Sequence, residues 1–161
     1  MWGCDKTTKA TAYLTLVRPL LEYAATAWDP STKSNIQSLE RVQCQAARFC
    51  TGNYRREEGS VTKSLNDLGW ESLQTRRRNQ RLCMLYKIIN GLVDINLNDF
   101  IQRNSRTTRR NDQKFLQLCH KARVFQDSVF ITTVRDWNNL PSSIVNSPSL
   151  KSFKSKLKQS Q

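Results

Sequence analysis

The sequence predicts a mainly α-helical protein, and three observations support this fold class. Apolar residues recur at helical spacing in residues 10–28, 36–50 and 73–90. Start and stop signals border the helical stretches, among them Ser34, Gly52 and the Ser147-Pro148 pair. The chain also contains no tandem repeats. We therefore expect a helical bundle, with a basic loop and a small irregular C-terminal region.

A first helix is predicted over residues 10–28. Its broad apolar face collects Leu14, Val17, Leu20, Leu21, Ala24, Ala27 and Trp28. Pro19 falls on the polar side, where its missing N–H would bend the helix without spoiling the apolar face. A break into two short helices at Arg18 is the alternative. Asp29-Pro30 ends the stretch, and its apolar face needs a partner surface.

A second helix is predicted from the capping-box pattern of Ser34 and Gln37 to Gly52, a natural C-cap. Its apolar side is formed by Ile36, Leu39, Val42, Ala46, Ala47, Phe49 and Cys50. Ser60 then caps a short helix that ends at Leu68. The pair Gly69-Trp70 turns the chain, so this segment is expected to dock a tryptophan.

A fourth helix, residues 73–90, carries charge where a core is expected. Its C-terminal half is apolar over a wide sector, and its N-terminal half places Arg77, Arg78 and Arg81 in that same sector. Guanidinium groups are almost never buried without partners. Three explanations stay open: contact with phosphate, which suits the planar guanidinium fork, pairing with carboxylates, or plain solvation. The carboxylates considered for pairing are Glu71 and Asp67.

The last third of the chain contains a basic loop and a C-terminal segment. Residues 102–114 are polar and basic without periodicity, which predicts a flexible loop or linker. Residues 115–130 are rich in β-prone residues and predict a small hairpin or irregular packing. A short helix is predicted over 132–140, and Ser147-Pro148 begins a terminal helix. The predicted divisions are a helical unit of residues 1–101, the linker 102–114, and residues 115–161 packing back on the bundle.

The charge balance favours a polyanionic partner. The chain has 26 Lys and Arg residues against 13 Asp and Glu, a net charge of +13. The surplus is larger in residues 81–161, where 14 basic residues accompany 5 acidic ones. Such a surplus is typical of nucleic-acid binding, because contacts to phosphates release counterions. A solvated basic surface without a partner is the simpler alternative.

The cysteines predict neither a metal site nor a disulfide framework. They are Cys4, Cys44, Cys50, Cys83 and Cys119, an odd number without a C-x-x-C pair. The one histidine, His120, follows Cys119, and no second ligand pair has zinc-site spacing. We expect reduced thiols and no cofactor. Signal-peptide and membrane-span patterns are missing, so the expected location is intracellular, cytoplasmic or nuclear, with no membrane partner.

The residue patterns of common enzymes are not found. Two-metal phosphoryl transfer needs clustered carboxylates, and the only adjacent acids are Glu57-Glu58, in a charged loop. One histidine without a supporting Asp or Asn pattern gives no triad. The chain is therefore not expected to be an enzyme, and a small nuclease is the least favoured function class.

Four stretches carry a family resemblance. They occur in the order "AYLTLVRPLLEYAATAWDP" (12–30), "IQSLERVQCQAARFCTGNYRR" (36–56), "SVTKSLNDLGWESLQTRRRNQRLCMLYKIINGLV" (60–93), and "VFITTVRDWNNLP" with "SLKSFKSKL" (129–157). Together they resemble the C-terminal part of reverse transcriptases encoded by non-LTR (LINE-type, jockey-like) retrotransposons. The individual motifs are short, and the resemblance rests on their order over residues 9–157.

This resemblance implies a thumb and post-thumb region of an RNA-directed DNA polymerase. In that family an endonuclease domain, fingers and a palm with a catalytic aspartate pair come first. That pair has no counterpart in this chain. The resemblance implies that the chain is a catalytically silent fragment whose partners are a template–primer or target duplex, bound non-specifically, and the missing palm domain. A domesticated or chance-translated helical module that binds protein through an exposed apolar face is the alternative.

The resemblance implies a function for the arginines of the fourth helix, since a polymerase thumb holds the duplex. The expected nucleic-acid-binding residues are Arg76, Arg77, Arg78, Arg81, Arg109 and Arg110. The residues expected in the helical core are Leu21, Trp28, Leu39, Phe49, Trp70, Leu85, Ile88 and Trp137. No metal-binding and no catalytic residue is expected.

Overall fold

The computed structural model describes residues 3–55, 57–96, 114–116 and 128–160, and this part of the chain is mainly helical. The predicted fold class is confirmed. The chain forms two compact units, which we call unit 1 (Met1–Ala25 and Pro30–Arg77) and unit 2 (Thr26–Asp29 and Arg78–Gln161). These boundaries differ from the predicted division at residues 101 and 115. The predicted linker, residues 102–114, lies outside the described residues except for Lys114.

The N-terminal stretch is a chain of short helices: α1 (Lys6–Ala12), a π-helical segment (Tyr13–Val17), α2 (Arg18–Glu22) and α3 (Ala25–Trp28). Pro19 lies in the first turn of α2, where its missing N–H costs least. A π-helical turn before it accommodates the lost hydrogen bond. Between α2 and α3, Ala24 has φ 51°, a left-handed conformation that ends the helical register. The predicted break at Arg18 is wrong, because the backbone stays helical through that residue; the interruption comes at Tyr23 and Ala24, after α2.

Helix α4 (Lys33–Thr51) is the longest of the described helices. Its C-cap is Gly52 at φ 68°, as predicted. The predicted capping box is wrong, because Ser34 already lies inside the helix and an N-cap residue must have non-helical geometry. Thr32 takes the N-cap position without a side-chain hydrogen bond to the helix.

Helices α5 (Ser60–Asp67) and α6 (Leu73–Ile89) follow. The N-cap of α5 is Gly59 at φ 80°, so Ser60 is the first helical residue and not the predicted cap. Gly69, at φ 63°, turns the chain toward Trp70 as expected. Helix α6 matches the predicted helix of residues 73–90 to within one residue.

Three helices form the described C-terminal part: α7 (Val129–Asn138), α8 (Ser142–Val145) and α9 (Leu150–Gln159). Helix α7 begins three residues before the predicted start, and α8 was not expected from the sequence. The N-cap of α9 is Ser149, whose hydroxyl accepts the N–H of Ser152 at 3.2 Å, and not Ser147. Most of the predicted hairpin region, residues 117–127, lies outside the described residues.

Unit 2 has an apolar core built around Trp137. The Trp137 ring stacks on Phe153 with centroids 5.7 Å apart, and Phe153 stacks on Tyr86 at 4.6 Å. The Asn138 side chain bonds both backbone groups of Phe115, at 3.0 and 2.9 Å, and so holds that residue against the core. The other buried members of this core are Leu82, Leu85, Val134, Leu140, Ile144, Val145 and Leu157.

Unit 1 has a smaller and more polar interior. Tyr13 stacks on Trp70 with ring centroids 4.6 Å apart. Its hydroxyl donates to Oε1 of buried Gln43 at 3.2 Å, and Nε2 of Gln43 donates to the Glu71 carbonyl at 2.9 Å. These bonds satisfy a buried amide that the hydrophobic pattern did not single out.

Two of the predicted core residues are wrong. Trp28 and Phe49 are both 41% exposed. The prediction that Trp28 is buried assumed one continuous helix over residues 10–28. The π-helical segment and the left-handed Ala24 instead shift the register of the residues that follow. The Phe49 ring instead lies beneath the Lys9 ammonium, 4.8 Å from the ring centroid.

The other predicted core residues differ in their depth. Leu85 and Trp137 are buried. Leu21, Leu39, Trp70 and Ile88 are partly buried. The deep core is therefore concentrated in unit 2.

Trp137→Ala should lower the free energy of unfolding by about 3–5 kcal/mol, because it removes a 1% exposed aromatic from the centre of the unit 2 core. Denaturant titration followed by circular dichroism measures the loss. Phe130→Ala is the matched control on the same helix: that side chain is 53% exposed, so we expect a loss below about 1 kcal/mol. Equal losses for the two variants would contradict this core.

Tyr13 should make unit 1 sensitive to alkaline pH. Burial raises the pKa of Tyr13 to about 12, whereas an unfolded tyrosine titrates near pH 10. The folded state therefore keeps a proton that the unfolded state loses, and about 2 kcal/mol of stability should disappear as the pH rises from 10 to 12. The difference between the unfolding free energies of wild type and Tyr13→Phe, measured across this range, isolates the effect. A constant difference would contradict it.

Candidate nucleic-acid interface

The first half of α6 carries the four arginines predicted to contact phosphate. Arg77 is fully buried and Arg81 is 6% exposed, whereas Arg76 and Arg78 are partly buried. An ionised side chain removed from water needs compensating partners. The contacts of these arginines therefore decide what they can do.

In unit 1, Arg76 pairs with Glu22 of α2. Its Nε and Nη2 atoms donate to the two carboxylate oxygens of Glu22, with Nη2 at 3.1 Å from Oε2. This forked geometry is the strongest form of a guanidinium–carboxylate pair. The hydrogen bond to Glu22 raises the pKa of Arg76 above its usual value, against the opposing effect of burial. Glu22 also lies 3.9 Å from Arg18, one helical turn earlier.

In unit 2, Arg81 lies at the centre of a set of contacts that we call the Arg81 cluster. It consists of Arg78, Arg81, Asp29, Thr133 and Asp136. Arg81 Nε lies 2.9 Å from Oδ2 of Asp29, and its Nη2 donates to Oδ2 of Asp136 at 3.1 Å. Its Nη1 donates to the Thr133 hydroxyl at 3.2 Å, and Arg78 Nε lies 3.6 Å from Asp136. Two carboxylates and one hydroxyl thus surround one guanidinium.

These contacts and the burial of Arg77 and Arg81 speak against those two residues as phosphate contacts, whereas Arg78, with a side chain 35% exposed, remains a prediction. Arg77 and Arg81 have almost no exposed surface, and a phosphate group cannot reach them in this conformation. Arg78 and Arg81 pair with carboxylates, which was one of the three open explanations, and Arg76 does the same. The partners are Glu22, Asp29 and Asp136 and not the expected Glu71 and Asp67.

The sequence held one signal for these partners. Asp136 precedes Trp137, so this isolated acid adjoins a large and buried aromatic residue, whereas Trp28 before Asp29 is 41% exposed and gives no such signal. A carboxylate next to a buried side chain is partly desolvated, so it needs a cation as a partner. In the sequence, the Asp29-Pro30 pair predicts only a helix stop.

Other predicted or possible site residues lie elsewhere. Arg109 and Arg110 are outside the described residues, as are Cys119 and His120. Burial raises the pKa of the Cys44, Cys50 and Cys83 thiols, which disfavours the reactive thiolate. Among the described residues, His, Cys, Asp and Glu side chains form no group of three that could hold a metal ion. Within the same ranges, no helix has the length and apolar character needed to cross a bilayer.

The outer side of α9 is strongly basic. Lys151, Lys154 and Lys158 are exposed, and this helix contains no acidic residue. Lys156 points elsewhere, and its Nζ donates to the Ser143 carbonyl at 2.7 Å.

Comparison with protein-family models, with curated proteins and with solved structures finds no match to this chain.

Arg81→Ala should lower the free energy of unfolding by about 3–5 kcal/mol, because Asp29 and Asp136 lose the guanidinium that they share. The salt dependence of duplex binding should not change, since Arg81 does not reach the surface. Arg135→Ala, an exposed position on α7, is the control and should cost below about 1 kcal/mol. A stable Arg81→Ala variant with a weaker salt dependence would contradict the internal role.

Proposed function

We propose that the chain is a C-terminal portion of a non-LTR retrotransposon reverse transcriptase, and that it binds the phosphate backbone of nucleic-acid duplexes without sequence preference. One observation carries the proposal. Three of the carboxylates, those of Glu22, Asp29 and Asp136, pair with arginines, while lysines of the same chain lie exposed and form no ion pair among the described residues. A chain of net charge +13 then presents much of its surplus outward.

Such a surface attracts phosphate through counterion release and not through base recognition. Lysine is a strongly hydrated point charge on a flexible stem, so it follows a phosphate backbone without reading the bases. In a polymerase of the resembled family, this would hold a template–primer or target duplex beside the catalytic domain. We place the activity in the cytoplasm or nucleus, where such duplexes occur.

We assign the chain no catalytic step of its own. The resembled family performs nucleotide transfer with an aspartate pair in its palm domain, and the present sequence has no counterpart of that pair. The palm domain is accordingly the protein partner that this proposal requires. The chain's contribution is to binding and positioning of the duplex.

A second function has one observation in its favour. Three apolar side chains in and after the π-helical segment are strongly exposed: Leu16 at 69%, Leu20 at 74% and Tyr23 at 78%. Exposed apolar side chains in a row are typical of a surface that binds another protein. A helical protein-interaction module, domesticated or produced by chance translation, is therefore the alternative.

Fluorescence anisotropy over a salt series separates the two functions. For nucleic-acid binding, the logarithm of the affinity should fall linearly with the logarithm of salt between about 50 and 200 mM. RNA–DNA and DNA duplexes of unrelated sequence should give similar affinities and slopes. Absence of binding at the lowest salt, or an affinity that does not respond to salt, would contradict the proposal. Salt-insensitive capture of a protein partner would support the alternative.

A further inference from the structure

Helix α9 presents a row of three lysines beside the apolar residues that anchor it. With 3.6 residues per turn, Lys151, Lys154 and Lys158 fall within roughly 60° of arc. At a rise of 1.5 Å per residue, the row is about 10 Å long. Phe153 and Leu157 lie on a different side of the helix and are buried in the unit 2 core. The row is therefore held in place by packing on its inner side.

Lys87 of α6 extends this row across a second helix. Tyr86 and Phe153, which precede Lys87 and Lys154 in the sequence, stack with ring centroids 4.6 Å apart, so α6 and α9 are neighbours. Both ammonium groups also act on the Cys83 thiol: burial raises the pKa of Cys83, while Lys154 and Lys87 lower it. Lys87 and the α9 row thus share one side of unit 2. We call Lys87, Lys151, Lys154 and Lys158 the lysine face.

No carboxylate among the described residues forms an ion pair with the lysine face. Unit 2 contains no glutamate, and its described aspartates are Asp29, Asp94 and Asp136. Asp29 and Asp136 already form ion pairs with Arg81. None of the four lysines forms an ion pair within the ranges that the structure describes. Their mutual repulsion makes an external anion favourable here.

We propose that the lysine face is the surface on which the phosphate backbone of a nucleic-acid duplex lies. This inference rests on the proposed function and gives it a location other than the arginines of α6. A duplex carries one negative charge per about 1.7 Å of its axis, so a row about 10 Å long opposes about six phosphate charges. The packing of α6 against α9 fixes the backbone positions of the four lysines, and their flexible stems let each ammonium group reach a phosphate.

An anionic membrane surface fits this face less well. A helix that lies in a membrane interface must insert its apolar side among the lipids. The apolar side of α9 is already used, because Phe153 and Leu157 are buried in the core. Only electrostatic attraction would remain, without the apolar contacts that hold such helices to a bilayer.

The test compares two variants that each lose four positive charges. The test variant replaces Lys87, Lys151, Lys154 and Lys158 by Gln. The control variant replaces Lys6, Lys33, Lys63 and Lys114 by Gln, which are exposed lysines outside the lysine face. Circular dichroism and thermal unfolding establish that both variants are folded. Affinity for an RNA–DNA duplex is then measured across a salt series, and vesicles with anionic headgroups serve as a second probe.

The test variant should lose about three to four units of the logarithmic salt slope, since each lost phosphate contact reduces it by about one. The control variant should lose about one or less. Equal slopes for the two variants, with wild type still binding, would overturn the lysine face and leave the proposed function standing. Failure of wild type to bind any duplex would overturn the proposed function. Tighter binding to vesicles than to duplex would also overturn the inference, in favour of a lipid surface.

Discussion

Arg81 lies where helix α6 turns its side chains toward the core of unit 2, and its charge constrains everything packed around it. An unpaired guanidinium in that position would cost several kcal/mol. The structure resolves the conflict by bringing Asp29, Thr133 and Asp136 around the one side chain. The cluster therefore ties residue 29 and helix α7 to α6, over separations of more than fifty residues along the chain.

This use of carboxylates has a consequence for the surface. Acidic residues are few in unit 2, and the cluster pairs two of its three described aspartates with arginines. The lysines of α6 and α9 are left without intramolecular counterions among the described residues. The same ion pairs that stabilise the interior thus leave an exposed positive field, and a polyanion is the partner that this field attracts. The proposal of a retrotransposon thumb region accords with such a surface, because a thumb holds a duplex.

Local patterns predicted the fold better than they predicted the contacts. Periodicity found α4 and α6, and Gly52 was predicted as the left-handed cap that it forms. Helical spacing wrongly predicted that Trp28 is buried, because a π-helical turn and the left-handed Ala24 break the helical register before that residue. The charge surplus predicted the class of partner, but ion-pair partners depend on tertiary contacts that sequence spacing does not encode. For that reason the arginines of α6 were predicted to contact phosphate, and no function was predicted for the lysines of α9.

Our interpretation is that Arg76 and Arg81 of α6 are held in internal ion pairs and that the lysine face makes the phosphate contacts. NMR of the side-chain nitrogens during a titration with an RNA–DNA duplex tests it most directly. We expect slow hydrogen exchange and unchanged resonances for Nε–H of Arg76 and Arg81, with shifts confined to Nζ of Lys87, Lys151, Lys154 and Lys158. Shifts of the arginine resonances with unmoved lysine resonances would contradict it.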